Sequence, residues 1–310
     1  MRETRKSIQF RLAVFGMLVL LLASFAPASA VAAVVKIVET KTGVTVHSND
    51  KVSIDASNLD EGYLIVRYTG GKDVKIKAQV AKKDGSAYTY DINAKGNPEV
   101  IPLTEGEGKY TIGVFENVSG TKYAQAYSVT VDVKLRDEFL PFLYPNQYVN
   151  YNPASTDSKV NARANELAAQ AEKVTSGTLE MNILKAIYDD VTASMTYDTD
   201  LAQNVQPGYL PNVEKVWESK KGICFDYAEV MSSMLRLKGI PSKLVIGYAG
   251  TVYHAWINVY IDGEWLDHAI FWNGKQWSLL DPTFVSTAKS ANAVKQFIGE
   301  GNSYSQKYMY

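Results

Sequence analysis

The hydrophobic period of this chain changes near residue 158, and that change orders its parts. From about Val34 to Leu135 short alternating runs recur: Val44–Val46, Val52–Ile54, Tyr63–Tyr68, Val74–Val80, Tyr88–Ile92, Tyr110–Phe115 and Ala126–Val133. Turn signals separate them at Gly70-Gly71, Asp84-Gly85, Gly96-Asn97-Pro98 and Ser119-Gly120. In Tyr127–Val133 the odd positions are apolar and the even ones polar, the period of a half-buried strand. From Ser158 onward the pattern is helical. Val160–Val174 is rich in alanine around Leu167, and Thr178 can cap a second helix carrying Leu179, Ile183, Ile187 and Val191. A third helix begins near Cys224, buries Ala228, Met231, Leu235 and Leu237, and stops at Gly239 before Ile240-Pro241. Strands are expected next at Leu244–Tyr248, His254–Ile261, Glu264–Ile270 and Gln276–Leu280, with hairpin signals at Asp262-Gly263 and Asn273-Gly274.

This order predicts two domains, which is also what 310 residues lead one to expect at roughly 100–200 residues per domain. About seven short strands over 34–135 predict an all-β immunoglobulin-like sandwich, of immunoglobulin or fibronectin type III kind. Helices followed by an antiparallel sheet predict an α+β domain over 158–310. The linker 136–157 holds Pro141, Pro145 and Pro153 among Phe139, Phe142, Tyr144, Tyr148 and Tyr151. Its prolines predict extended chain, and its aromatics predict that it packs on a domain. The tail Tyr304–Tyr310 is polar and aromatic and has no assignable element. The 20 tyrosines point to strands, to exposed aromatic surface, or to both.

The N-terminus reads as an export signal over residues 1–30. Arg2, Arg5, Lys6 and Arg11 precede the apolar stretch Leu12–Ala26, and small residues follow at Ala28-Ser29-Ala30, with a second site at Val31-Ala32-Ala33. The stretch is shorter than the ~20 residues that spanning usually takes, so cleavage is expected rather than retention as an anchor. Cleavage would leave the chain with a net charge of about −4. Secreted, extracellular or cell-wall-associated protein is the expected destination, with no membrane contact after cleavage. Balanced charge, 32 Lys+Arg against 33 Asp+Glu, argues against a nucleic-acid partner. His47 stands alone and reads as a surface strand residue rather than a ligand.

Cys224 is the single cysteine, so neither an intrachain disulfide nor a Cys-rich zinc site can form. It sits at the predicted start of the third helix, where the positive end of the helix dipole favours thiolate. Gly222 is expected to allow a tight turn just before it. His254 begins one strand and Asp281 ends another, and neighbouring antiparallel strands can bring these side chains together. An imidazole held by a carboxylate and facing a thiol is the arrangement of nucleophilic catalysis. A metal site from the same three residues lacks a fourth ligand, and Asp198-Thr199-Asp200 lacks the glycine and distal glutamate of a helix–loop–helix calcium site. No cofactor is expected.

The blocks Gly222-x-Cys224-x-Asp226-Tyr227-Ala228, Leu237-Lys238-Gly239-Ile240-Pro241-Ser242, Gly247-Tyr248, His254-Ala255-Trp256 and Trp277-x-x-x-Asp281-Pro282-Thr283 occur in that order. Together they resemble the core of the transglutaminase-like superfamily, papain-like folds with a Cys-His-Asp triad in that chain order. The resemblance covers about Val213 to Phe284 and leaves the β domain outside. It implies Cys224, His254 and Asp281 as catalytic residues. The connection between the His and Asp blocks is longer than the family usually has. That raises Asp267 as a rival acid and His268 as a rival base, but neither has the surrounding pattern of Asp281 or His254. The resemblance further implies acyl transfer on protein or peptide amides through a thioester. Hydrolysis is preferred over cross-linking. The Cys224 N–H and the Tyr197 hydroxyl are the candidate oxyanion donors, with Tyr197 otherwise a packed aromatic at a helix end, while Trp217 and Trp256 wall the cleft or fill the core. The competing expectation is a non-catalytic extracellular or cell-wall binding module on the same fold, its β domain attaching to a surface partner.

Overall fold

The computed structural model describes residues 42–266, 270–272, 277–279 and 304–310. Eight strands come first: β1 (Val46–Ser48), β2 (Val52–Asp55), β3 (Tyr63–Tyr68), β4 (Ile76–Lys82), β5 (Ala87–Ile92), β6 (Glu99–Pro102), β7 (Gly108–Ser119) and β8 (Lys122–Val133). They form two four-stranded sheets of order β1-β2-β3-β6 and β5-β4-β7-β8, with every pairing antiparallel. Alternation in β5 is strict: Tyr88, Tyr90 and Ile92 are buried and Ala87, Thr89 and Asp91 are exposed. The expected strand at Val44–Val46 begins two residues later, and Val44 is exposed. β6 was not anticipated, because Glu99 and Pro102 hide its alternation.

Of the two roles expected for tyrosine, the strand role holds for Tyr63, Tyr68, Tyr88, Tyr90 and Tyr110, and these are core rather than surface residues. Tyr68, Tyr90 and Tyr110 are fully buried. Buried phenols need partners. Tyr68 donates to Glu116 at 2.6 Å, Tyr88 to Glu105 at 2.7 Å and Tyr110 to the Gly106 carbonyl at 2.7 Å.

The stretch after β8 is tied down at both ends, as its aromatics led one to expect. Arg136 donates twice to the buried Glu61, at 3.0 and 2.9 Å, and the Tyr144 hydroxyl adds a third bond at 2.6 Å. Leu140, Phe142, Leu143, Tyr144, Val149 and Tyr151 are buried.

Among the described residues five α-helices follow: α1 (Lys159–Ala171), α2 (Leu179–Ser194), α3 (Thr199–Asn204), α4 (Val213–Ser219) and α5 (Cys224–Leu237). Ser158, Thr178, Asp198 and Asn212 cap the first four through their side-chain oxygens. Thus Asp198 is a helix cap, and it also pairs with Lys221 at 3.1 Å. On α2, Ile183, Ile187 and Val191 are buried as their spacing predicts, but Leu179 is exposed. The short helices α3 and α4 were not anticipated; six or seven residues carry too little periodicity to read. Two-residue strands β9 (Thr196–Tyr197) and β10 (Lys221–Gly222) pair in parallel beside them.

The remaining strands are β11 (Ser242–Ala249), β12 (Val252–Ile261), β13 (Glu264–Leu266), β14 (Ile270–Trp272), β15 (Trp277–Leu279) and β16 (Tyr304–Met309). One sheet has the order β13-β12-β11-β16, and β14 pairs with β15. Asp262 and Gly263, with φ of 55° and 91°, make the predicted hairpin turn between β12 and β13. The unassigned tail is therefore a strand, at the edge of its sheet among the described residues. It fits because β11 offers Gly247, where a Cβ would fall on the Ser305 carbonyl oxygen. Among the described residues no helix is long and apolar enough to cross a membrane.

Candidate active site

α5 is the buried helix of the second half, with Tyr227 to Arg236 almost wholly out of solvent. Its first residue is Cys224, which is partly buried and carries a free thiol. The preceding residue, Ile223, is extended, and its N–H is taken by the Asp226 carboxylate at 2.6 Å. The other Asp226 oxygen accepts from the Tyr209 hydroxyl at 2.6 Å. Burial raises the Asp226 carboxyl, and these two bonds oppose the rise. Gly222 is needed for a different reason from the tight turn expected of it. A Cβ there would lie 2.5 Å from Cβ of Asp226, so glycine admits the carboxylate that holds the helix start.

The segment before Cys224 is also pinned from β9 and from the head of α3. Tyr197 stands opposite Gly222 in the β9–β10 pair, and Asp198 N–H donates to the Gly222 carbonyl at 2.9 Å. One helical turn into α5, Glu229 is fully buried. It accepts from the Asn150 N–H at 3.3 Å, and its Oε2 has no partner among the described residues. Burial pushes its carboxyl up to about 8.

His254 lies on β12 opposite Gly247 of β11, 7% exposed. Its ring stacks at 21° against Trp256, with centroids 6.3 Å apart. Cys224 and His254 open into one cavity of about 720 Å³, and Tyr197 lines it as well. Asp281, and the rivals Asp267 and His268, lie outside the described residues. Trp217 and Trp256 are core residues, 6% and 2% exposed. His47 is on β1, half-buried. No cluster of three metal-ligating side chains occurs among the described residues.

Several lining residues had no signal as functional residues in the sequence. Tyr308 and Tyr310 come from the tail and Tyr148 from the linker. Tyr310 is 3% exposed, stacks on Tyr148 at 3.6 Å and 9°, and meets Tyr88 and Tyr90 edge-on at 5.6 and 6.0 Å. The repeat of aromatics at 304, 308 and 310 was the one available hint of a strand. Val252 and Tyr253, at the exposed start of β12, line the cavity as well.

Residues 164–282 match the model of the transglutaminase-like superfamily. Over this segment the chain is similar to the transglutaminase-like superfamily. The match includes Cys224, His254 and Asp281 and begins inside α1. Among solved structures, the chain is similar to a candidate cysteine protease from Cytophaga hutchinsonii, with 16% identity and a TM-score of 0.37 over 87% of this chain and 74% of that one. Red sea bream transglutaminase gives 13% identity and a TM-score of 0.31 over 73% of this chain and 48% of that one. A candidate protease from Parabacteroides distasonis gives 14% and 0.25 over 69% and 62%. The chain thus spans about half of the fish enzyme's length. No curated protein matches the sequence.

Proposed function

We propose that this protein is a cysteine acyl-transfer enzyme acting on protein or peptide amides, exported through its N-terminal segment. The observation that carries this reading is that Cys224, at the first position of α5, and His254, on β12, share one cavity within the transglutaminase-like segment. His254 takes the proton of the Cys224 thiol as Sγ attacks the amide carbonyl. The tetrahedral oxyanion is met by the Cys224 N–H and the Tyr197 hydroxyl. Collapse expels the amine, which receives the proton from His254, and leaves a thioester on Cys224. Water then attacks the thioester and releases the acid, with His254 now serving as base. Asp281 is assigned to hold the imidazole in the tautomer this requires.

Hydrolysis is preferred to cross-linking, and the acyl-acceptor experiment below separates the two. The sheet order of the first half supports a sandwich of immunoglobulin or fibronectin type III kind, because β6 crosses to pair with β3 while β4, β5, β7 and β8 form the other sheet.

Alkylation by iodoacetamide tests the nucleophile. Cys224 is expected to react quickly at neutral pH and at least tenfold more slowly in His254→Ala. Equal slow rates in both proteins would leave only a binding module on this fold. The acyl acceptor is read by incubating a protein mixture with the enzyme and a labelled primary amine. New chain termini mean proteolysis, a 1 Da gain on glutamine means deamidation, and uptake of the label means transamidation.

A further inference from the structure

The first half of the molecule contributes to the cavity that holds Cys224. Thr89 and Asp91 of β5 line it together with Cys224 and His254. Among the described residues β5 is the edge strand of its sheet. In an antiparallel pair, the N–H and C=O of one residue point to the same side, and the side alternates along the strand. Gln147 shows which side Asp91 faces. Its side-chain amide accepts from Asp91 N–H at 3.4 Å and donates to Asp91 C=O at 3.1 Å, on the side away from β4. Thr89, two residues earlier, presents its N–H and C=O to that same open edge. An amide group already caps the edge at Asp91, and the next pair of peptide groups along it faces the cavity.

Such an edge pairs with extended polypeptide. The lining favours an apolar one. Phe225, Val252 and Tyr253 supply apolar surface, and the Asp91 carboxylate is already paired with Lys77. Resting on the assignment of Cys224 as nucleophile, we propose that the acyl donor is an extended, apolar polypeptide segment that hydrogen-bonds the open edge of β5 at Thr89. The all-β half is then one wall of the cleft, and Thr89 is a specificity-determining position that acts through its main chain.

The test compares two electrophiles on the full chain: iodoacetamide, and an N-acetyl tetra-alanine chloromethyl ketone. Proline is tolerated at strand edges because only an outward N–H is lost. In Thr89→Pro the peptide reagent is expected to inactivate roughly three- to tenfold more slowly than in the unaltered protein, the range of one net hydrogen bond. Thr89→Ala keeps the N–H, so a loss as large as that of Thr89→Pro overturns the main-chain assignment, and rates with the peptide reagent are read relative to iodoacetamide in each protein. A peptide reagent N-methylated along its backbone should show the same loss on the unaltered protein, which covers the case of a poorly folded proline variant. Equal inactivation of the unaltered protein by the methylated and unmethylated peptides overturns the proposal, as does a peptide reagent with no advantage over iodoacetamide. Failure of iodoacetamide to show His254-dependent reaction overturns the nucleophile itself, a separate result.

Discussion

The Asp226 carboxylate holds the N–H of Ile223 at 2.6 Å, and so fixes the residue that delivers Cys224 to the head of α5. Asp226→Ala removes this bond and the one from Tyr209, leaving a buried donor without a partner. A loss of about 1–3 kcal/mol in denaturant unfolding is expected, with a slower reaction of Cys224 with iodoacetamide. Asp226→Asn, which keeps an acceptor oxygen, should recover part of both. Unchanged alkylation in Asp226→Ala would show that the helix start holds without this contact.

Tyr197 faces the same cavity from β9, opposite Gly222. If its hydroxyl meets the oxyanion, Tyr197→Phe lowers turnover of an amide substrate by roughly tenfold or more. Alkylation by iodoacetamide forms no oxyanion and should be unaffected. Equal slowing of both reactions would make Tyr197 a packing residue.

Glu229 makes stability depend on pH. Its carboxyl rises from 4.5 to about 8 through burial. Between those values the folded chain keeps a proton that the unfolded chain has released, so stability falls as pH rises through this window. Glu229→Gln should be close to neutral near pH 4 and stabilising by up to a few kcal/mol near pH 8. Parallel unfolding curves at every pH would contradict the assignment.

Arg236 joins four parts of the fold from within α5. It donates to the Ser242 carbonyl at 3.1 and 2.7 Å, to the Tyr144 carbonyl at 2.8 Å and to the main-chain oxygen of Tyr310 at 2.6 Å. Arg236→Met should destabilise by about 2–4 kcal/mol, since buried carbonyls lose donors. Arg236→Lys should rescue little, because an ammonium lacks the planar fork. The near-ultraviolet tyrosine signal should weaken in both, as Tyr310 loses its anchor between Tyr148 and Tyr90. An unaltered signal would place the anchoring elsewhere.

Local signals in the sequence suffice where one element carries its own period. The alternation of β5 and β8, the apolar stripe Ile183-Ile187-Val191, the cap at Thr178 and the hairpin at Asp262-Gly263 are all properties of neighbouring residues, enforced by backbone geometry and burial of one face. The same holds for Cys224 at a helix start. Elements too short to show a period escaped, as α4 and β9 did.

The cavity was beyond such reading because its walls are far apart in the chain. Thr89 and Asp91 carry no motif, and Gln147 and Tyr148 looked like linker. Tyr308 and Tyr310 belonged to a tail without an assignable element. Only tertiary packing brings them to Cys224. Tyr310 fills the space between β5 and Tyr148, its main-chain oxygen is claimed by Arg236, and β16 reaches β11 because Gly247 has no side chain. The sequence by itself determined the nature of the candidate nucleophile and base and the order of helices and strands, since those depend on residue type and local period. The tertiary structure alone decided that the β half borders the cleft, because that depends on contacts between residues separated by more than a hundred positions.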